Sequence, residues 1–113
     1  MELGFIGCGN MAQAMIAGIL DHNVMPKEAL AASGPTPSKM EKAKEKFGIM
    51  TTTNNREAAK AEIVVLSVKP QMYHEVIHEI RDDISKSQLI VTIAAGVTMA
   101  QVERQFGKEV KII

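Results

Sequence analysis

Apolar residues recur along the chain with two alternating spacings. Short, nearly continuous apolar runs predict β-strands at residues 2–6, 29–32, 63–68 and 89–94, with the start of a further strand at 110–113. Apolar residues at helical spacing predict helices at residues 10–20, 36–47, 56–61, 71–82 and 98–106. Residues 50–53 are predicted as a short extended piece. Strands and helices therefore alternate.

The apolar run at residues 63–68 is almost unbroken, which is typical of a strand covered on both faces of a parallel sheet. Strands alternating with helices at this spacing predict an α/β fold with a doubly wound, Rossmann-like parallel sheet. A chain of 113 residues with 46% hydrophobic content has room for a single domain. We expect that domain to span residues 1–113.

Charge and cysteine content narrow the classes of partner. Thirteen basic and thirteen acidic side chains cancel, so we expect neither nucleic acid nor a membrane as partner. The acidic Glu2 stands where a secretory signal would carry a basic residue, and Cys8 is the single cysteine. A lone cysteine forms no internal disulfide, so we expect a cytoplasmic protein.

The segment Gly7-Cys8-Gly9-Asn10-Met11-Ala12 follows the first predicted strand and opens the first predicted helix. It fits the dinucleotide-binding pattern G-x-G-x-x-G/A in the context that the pattern requires. Gly7 permits a tight turn, Gly9 lets a pyrophosphate approach the backbone, and the helix N-terminus offers N–H groups to phosphate. The alternative is a glycine turn without a ligand. Cys8 is interpreted as a spacer within the turn.

The region after the second predicted strand bears on the choice between NADP and NAD. An NAD site places a carboxylate there for the ribose 2′-hydroxyl, but residues 31–39 contain no acidic residue. Ser33, Thr36, Ser38 and Lys39 offer donors to a 2′-phosphate instead, so NADP is favoured and NAD stays possible. Alternatively, Thr36 or Ser38 caps the second helix, Ser38 in a capping box with Glu41.

Residues 74–78 match H-E-x-x-H, the signature of zinc proteases. At 100° per residue, the apolar residues of this helix fall on one arc, and His74 and His78 fall on the opposite face beside Arg81. We expect both histidines to be solvated, whereas a catalytic zinc needs a walled cleft and a third ligand. The sequence therefore predicts no bound metal.

Three separated segments occur in a fixed order: GFIGCGNMA and AMI within residues 4–16, SVKPQ at 67–71 and AAGVT at 94–98. With them, the chain resembles the N-terminal half of pyrroline-5-carboxylate reductases over its whole length. The resemblance implies an NADP-binding domain followed by a helical domain that supplies the substrate pocket and a homo-oligomer interface. Nothing in these 113 residues corresponds to that helical domain. Many family members carry an arginine after the second strand, where this chain has Gly34-Pro35.

The resemblance also implies where the cofactor lies. The first segment would cradle the pyrophosphate, Asn55 would approach the adenosine, and the two later turns would lie along the nicotinamide ribose and ring. The expected cofactor contacts are Ile6, Gly7, Cys8, Gly9, Asn10, Met11, Ser33, Thr36, Lys39, Asn55, Ser67, Val68, Lys69, Pro70, Ala94, Ala95 and Gly96.

The implied reaction is NADPH-dependent reduction of 1-pyrroline-5-carboxylate to L-proline. A protonated imine is already electrophilic, so positioning against the nicotinamide can supply most of the catalysis. No catalytic residue is therefore assigned, and Lys69 is the nearest candidate. The alternatives are another NADP-dependent imine or hydroxyacid reductase, a non-catalytic NADP-binding module, and a zinc hydrolase.

Overall fold

The computed structural model describes residues 1–93 and 96–113 of the chain. Its strands are β1 (Leu3–Ile6), β2 (Leu30–Ser33), β3 (Met50–Thr52), β4 (Ile63–Leu66), β5 (Leu89–Thr92) and β6 (Lys111–Ile112). Its helices are α1 (Asn10–Asp21), α2 (Pro37–Phe47), α3 (Asn55–Ala58), α4 (Tyr73–Ile80) and α5 (Met99–Phe106). Short 3₁₀ turns at Lys27–Ala29, Pro70–Met72 and Arg81–Asp83 complete the described elements.

All the strand pairs are parallel, and the strands stand in the order β3-β2-β1-β4-β5-β6. The order reverses direction at β1, so the chain winds outward first to one side and then to the other. This is the doubly wound, Rossmann-like arrangement that the alternating pattern predicts. Crevices for ligands form at the carboxyl ends of β1 and β4, where the order reverses.

Helices cover both faces of the sheet, and side chains of β1 alternate between the two cores. Leu3 and Phe5 pack on the face that carries Ala12 and Ile16 of α1. Ile6 packs on the other face, where α4 and α5 supply their apolar side chains. The strand predicted at residues 63–68 is described as Ile63–Leu66, and its burial on both faces explains why all four of its side chains are apolar.

The sequence analysis predicts five strands, whereas six strands form the described sheet. The extended piece at residues 50–53 was not counted as a strand, yet Met50–Thr52 pairs in parallel with β2 and forms one edge of the sheet. Met50–Thr52 lies at the edge of the sheet, pairs only with β2 among the described strands and stays partly exposed. So short a segment, with two polar residues out of three, does not show the apolar pattern that predicts a strand. Lys111–Ile112 is accordingly the sixth strand, and the strand expected at 89–94 is described as Leu89–Thr92.

Helix boundaries also differ from the predicted ones. Thr36 is the N-cap of α2, so Ser38 lies inside the first turn and forms no capping box with Glu41. The helix expected at 71–82 narrows to α4, because Pro70 opens a 3₁₀ turn first. Met72, predicted on the apolar arc, is 40% exposed as a result. Within the described residues, no helix has the length and apolar character needed to cross a membrane.

Candidate dinucleotide-binding site

The turn after β1 is clamped on both sides by its neighbouring strands. The Gly7 N–H donates to the Ser33 carbonyl at 2.9 Å, and the Ser67 hydroxyl lies 2.8 Å from the Gly7 carbonyl. Gly7 has φ +98°, and a Cβ there would lie 2.9 Å from the Ser67 carbonyl oxygen. A side chain at position 7 would therefore be strained and would also clash. The structure thus explains the first glycine of the motif.

Gly9 meets a different requirement. A Cβ on Gly9 would have nothing within 4 Å among the described atoms, so the protein itself does not demand glycine there. Gly9 is the exposed N-cap of α1, and no side chain among the described residues caps that helix. The first N–H groups of α1 thus face open space, which is the geometry that binds phosphate.

A cleft of about 450 Å³ opens between this turn, the end of β4 and the side of α4. It brings together predicted contacts from three separate segments: Gly7 and Gly9 in the glycine turn, Asn55 at the start of α3, and Ser67 and Lys69 after β4. The predicted contact Val68 also lines it. Thr53, Met72, Glu75 and Glu79 line it too and were not foreseen. The sequence signal for this wall is the i, i+4 spacing of Glu75 and Glu79, which places both carboxylates on one face of the helix.

A second groove, of about 410 Å³, lies between α1 and α2 on the other side of the turn. Lys39, Lys42 and Lys46 line it together with Cys8, Gly9 and Asn10. No salt bridge involves these lysines among the described residues. Lys39 alone is among the predicted contacts, although the spacing i, i+3, i+7 places all three lysines on one helix face. This chain has no arginine directly after β2, but three lysines of α2 line the neighbouring groove.

A smaller space of about 160 Å³ joins the glycine turn to the start of α2. It is lined by the predicted contacts Cys8, Gly9, Thr36 and Lys39. The same space reaches Gly34, where a Cβ would lie 2.7 Å from the Met40 sulfur. No carboxylate lines this space or the lysine groove among the described residues. Both are therefore suited to an anion.

Among the described residues, five predicted contacts do not line these spaces: Ile6, Met11, Ser33, Pro70 and Gly96. Ile6 is a core side chain, and its carbonyl accepts the Ser67 N–H at 2.9 Å. Ser33 is fully buried, and its hydroxyl lies 2.7 Å from Asn55 Oδ1. Met11 and Pro70 are exposed beside the site without lining it. Ala94 and Ala95 lie outside the described residues, and Gly96 is an exposed turn residue with φ +82°.

Cys8 is half-buried in the turn, and burial raises the pKa of its thiol. A raised pKa reduces the thiolate fraction at neutral pH, whereas a catalytic cysteine needs the opposite shift. The Cys8 carbonyl accepts a hydrogen bond of 3.1 Å from the Gln13 side chain, which ties the turn to α1. These features agree with the interpretation of Cys8 as a spacer.

His74 and His78 are exposed on α4, as predicted, and their rings stack with centroids 6.2 Å apart. Neither histidine is among the described residues that line the clefts and grooves above. Within the described part of the chain, no three histidine, cysteine, aspartate or glutamate side chains are grouped to hold a metal ion.

This fold and site geometry can be compared with those of known proteins. A family model described as "NADP oxidoreductase coenzyme F420-dependent" matches residues 2–96. The chain belongs to this family. Within the family, it is 36% identical over 113 residues to pyrroline-5-carboxylate reductase of Escherichia coli, covering 99% of this chain and 42% of that protein.

Two solved structures of pyrroline carboxylate reductases have the same fold as this chain over nearly its whole length. A pyrroline-5-carboxylate reductase from Coxiella burnetii superposes with a TM-score of 0.91 at 34% identity, over 98% of this chain and 42% of that one. The Plasmodium falciparum pyrroline carboxylate reductase with NADP bound gives a TM-score of 0.84 at 32% identity, over 99% and 40%. The chain spans about two fifths of the length of these relatives.

Proposed function

We propose that this chain is the NADP(H)-binding domain of a pyrroline-5-carboxylate reductase. The observation that carries the proposal is the convergence at the β1 turn of an open Gly9, the α1 N-terminus and a groove lined by three lysines, with neither a capping side chain nor a carboxylate among the described residues there. This set of groups fits a dinucleotide that carries an additional phosphate on its adenosine ribose. The identity of one third or more to reductases of that name supports the same substrate class.

Each part of the site has its own task in this proposal. The α1 N-terminus and the Gly9 backbone bind the pyrophosphate, which needs N–H donors and close approach. Thr36 and Lys39 bind the 2′-phosphate at the start of α2, and Asn55 binds the adenosine side of the ligand. Ser67, Val68 and Lys69, with the turn at 94–96, hold the nicotinamide ribose and ring. The bound nicotinamide supplies the hydride.

The complete protein reduces the C=N bond of 1-pyrroline-5-carboxylate to give L-proline. The chain's contribution is to fix the orientation of the cofactor, because orientation against an electrophilic imine accounts for much of the rate. The relatives are more than twice as long as this chain. We therefore expect the 113 residues alone to bind NADPH but not to turn over the imine.

The test is an assay of pyrroline-5-carboxylate-dependent NADPH oxidation with the protein that contains this chain and, separately, with the 113-residue chain. Turnover by the longer protein and cofactor binding without turnover by the chain are expected. Reduction of a different imine or a 2-oxoacid in place of the pyrroline would favour another reductase, and cofactor binding without any reduction would favour a non-catalytic module. Turnover by the chain alone would show that the substrate site had been misplaced.

A further inference from the structure

Ser33 ends β2 and makes two different connections from a fully buried position. Its carbonyl accepts the Gly7 N–H at 2.9 Å, which holds the glycine turn. Its hydroxyl oxygen lies 2.7 Å from Asn55 Oδ1 and 3.4 Å from the Phe5 carbonyl. Since a hydroxyl has one proton, the shorter distance assigns its donation to Asn55. The backbone and the side chain of Ser33 thus serve two segments of the site.

The hydrogen bond from Ser33 determines which end of the Asn55 amide faces the cleft. Asn55 begins α3 and lines the 450 Å³ cleft. With its oxygen held by Ser33, its nitrogen is on the other side of the carboxamide, and Nδ2 has no partner among the described residues. A primary amide nitrogen carries two N–H donors. Asn55 therefore presents donors, and not an acceptor, to whatever occupies the cleft.

We propose that Ser33 is a positioning residue, whose buried hydroxyl orients Asn55 so that its amide N–H donates to an oxygen of the adenosine ribose or its phosphate. This inference rests on the proposed function and changes the role first assigned to Ser33, from a direct phosphate donor to a residue that acts through Asn55. The ligand chemistry it recognises is an oxygen acceptor. A ribose hydroxyl and a 2′-phosphate both supply one.

The arrangement predicts a loss of affinity without a loss of the fold. Ser33→Ala removes the hydroxyl but keeps the backbone bond to Gly7, because that bond uses the Ser33 carbonyl. Asn55 is partly exposed, so its freed amide can turn toward water and keep its hydrogen bonds there. The amide then no longer has a fixed orientation. We expect NADPH to bind roughly fivefold to tenfold more weakly, as for one hydrogen bond lost.

A double-mutant cycle separates positioning from direct contact. NADPH and NADH are titrated calorimetrically against the unsubstituted chain, Ser33→Ala, Asn55→Ala and the double variant. If Ser33 acts through Asn55, the double variant binds no more weakly than Asn55→Ala. Independent, multiplying losses would overturn the proposal. Ser87→Ala is the control, since this exposed serine precedes the amino end of β5, at the end of the parallel strands opposite the glycine turn.

An NMR signal gives a readout that a general loss of structure would not produce. In ¹⁵N–¹H spectra, Ser33→Ala is expected to shift the Asn55 side-chain amide pair while most backbone signals stay in place. An unshifted pair would contradict the proposal. A loss confined to NADPH assigns the acceptor to the 2′-phosphate, and equal losses with NADH assign it to the shared ribose; both support positioning. Failure of the unsubstituted chain to bind NADPH would instead contradict the proposed function.

Discussion

Gly7 donates its N–H to the carbonyl of Ser33 at 2.9 Å, and this bond joins the turn after β1 to the end of β2. The two glycines of the turn have different surroundings, so substitutions at each should affect different properties. Gly7 is required by the protein's own backbone, since its φ is +98°. A Cβ on Gly9 would meet no described atom within 4 Å, so we expect a side chain there to affect a bound pyrophosphate and not the fold.

The paired substitutions Gly7→Ala and Gly9→Ala test this division. Gly7→Ala should lower the free energy of unfolding by about 1–3 kcal/mol, because alanine is strained at that φ and meets Ser67 and Val68. Gly9→Ala should leave thermal unfolding nearly unchanged and weaken NADPH binding by about tenfold to a hundredfold, as for lost charge-assisted hydrogen bonds. Equal effects of the two changes on stability would contradict the assignment.

The lysines of α2 should contribute to NADPH preference. Lys39→Ala should weaken NADPH binding by up to about tenfold, with little effect on NADH, because a phosphate loses a charged donor. Lys42→Ala should act in the same direction and more weakly, since it lies one turn further from the glycine turn. Lys44→Ala, which removes the same charge from the same helix but does not line the groove, is the control. Matching losses for Lys42 and Lys44 would point to a general field effect.

A carboxylate at the start of α2 should reverse the cofactor preference. Ser33 is unsuitable for this test, because an aspartate there would be buried without a cation. Thr36→Asp places the charge at the N-cap of α2, where aspartate also favours the helix. NADPH affinity should fall and NADH affinity should hold or rise, measured by titration of both. An unchanged ratio would remove Thr36 from the 2′-phosphate site.

The raised pKa of Cys8 predicts slow alkylation. At pH 8 its thiolate fraction is lower than that of a free thiol, since burial disfavours the charged form. Iodoacetamide should therefore react more slowly with Cys8 than with a small free thiol, and bound NADPH should slow it further. Cys8→Ala should keep cofactor binding. Rapid alkylation at neutral pH would indicate an activated thiol and a chemical role.

His74 and His78 should prove dispensable. Both are exposed, so His74→Ala with His78→Ala should change the free energy of unfolding by no more than about 0.5 kcal/mol. Metal analysis after chelator treatment should find no retained zinc in the unsubstituted chain. One tightly held zinc per chain, lost in the double variant, would support the zinc hydrolase alternative.

Most of the strands and helices could be predicted, because their apolar residues recur at strand or helix spacing along the chain. The edge strand Met50–Thr52 could not, since its pattern is too short and too polar to differ from a loop. At the site, the glycine motif was readable from local sequence. The Ser33–Asn55 bond was not, because 22 residues separate the two side chains and only the packing of β2 against α3 brings them together.

The lysine groove lies between these two cases. Its residues share one helix face, which the spacing of Lys39, Lys42 and Lys46 indicates. That the same face borders the glycine turn depends on how α2 packs beside α1, which single-sequence periodicity does not contain. Local patterns thus identified the individual groups, and the tertiary structure showed which of them share a space.

The most direct test of the central claim is a calorimetric titration of the 113-residue chain with NADPH and with NADH. NADPH is expected to bind with one site per chain and more tightly than NADH, because the described residues at the start of α2 offer cations and no carboxylate to the groove. Absence of NADPH binding, or tighter binding of NADH, would contradict this claim.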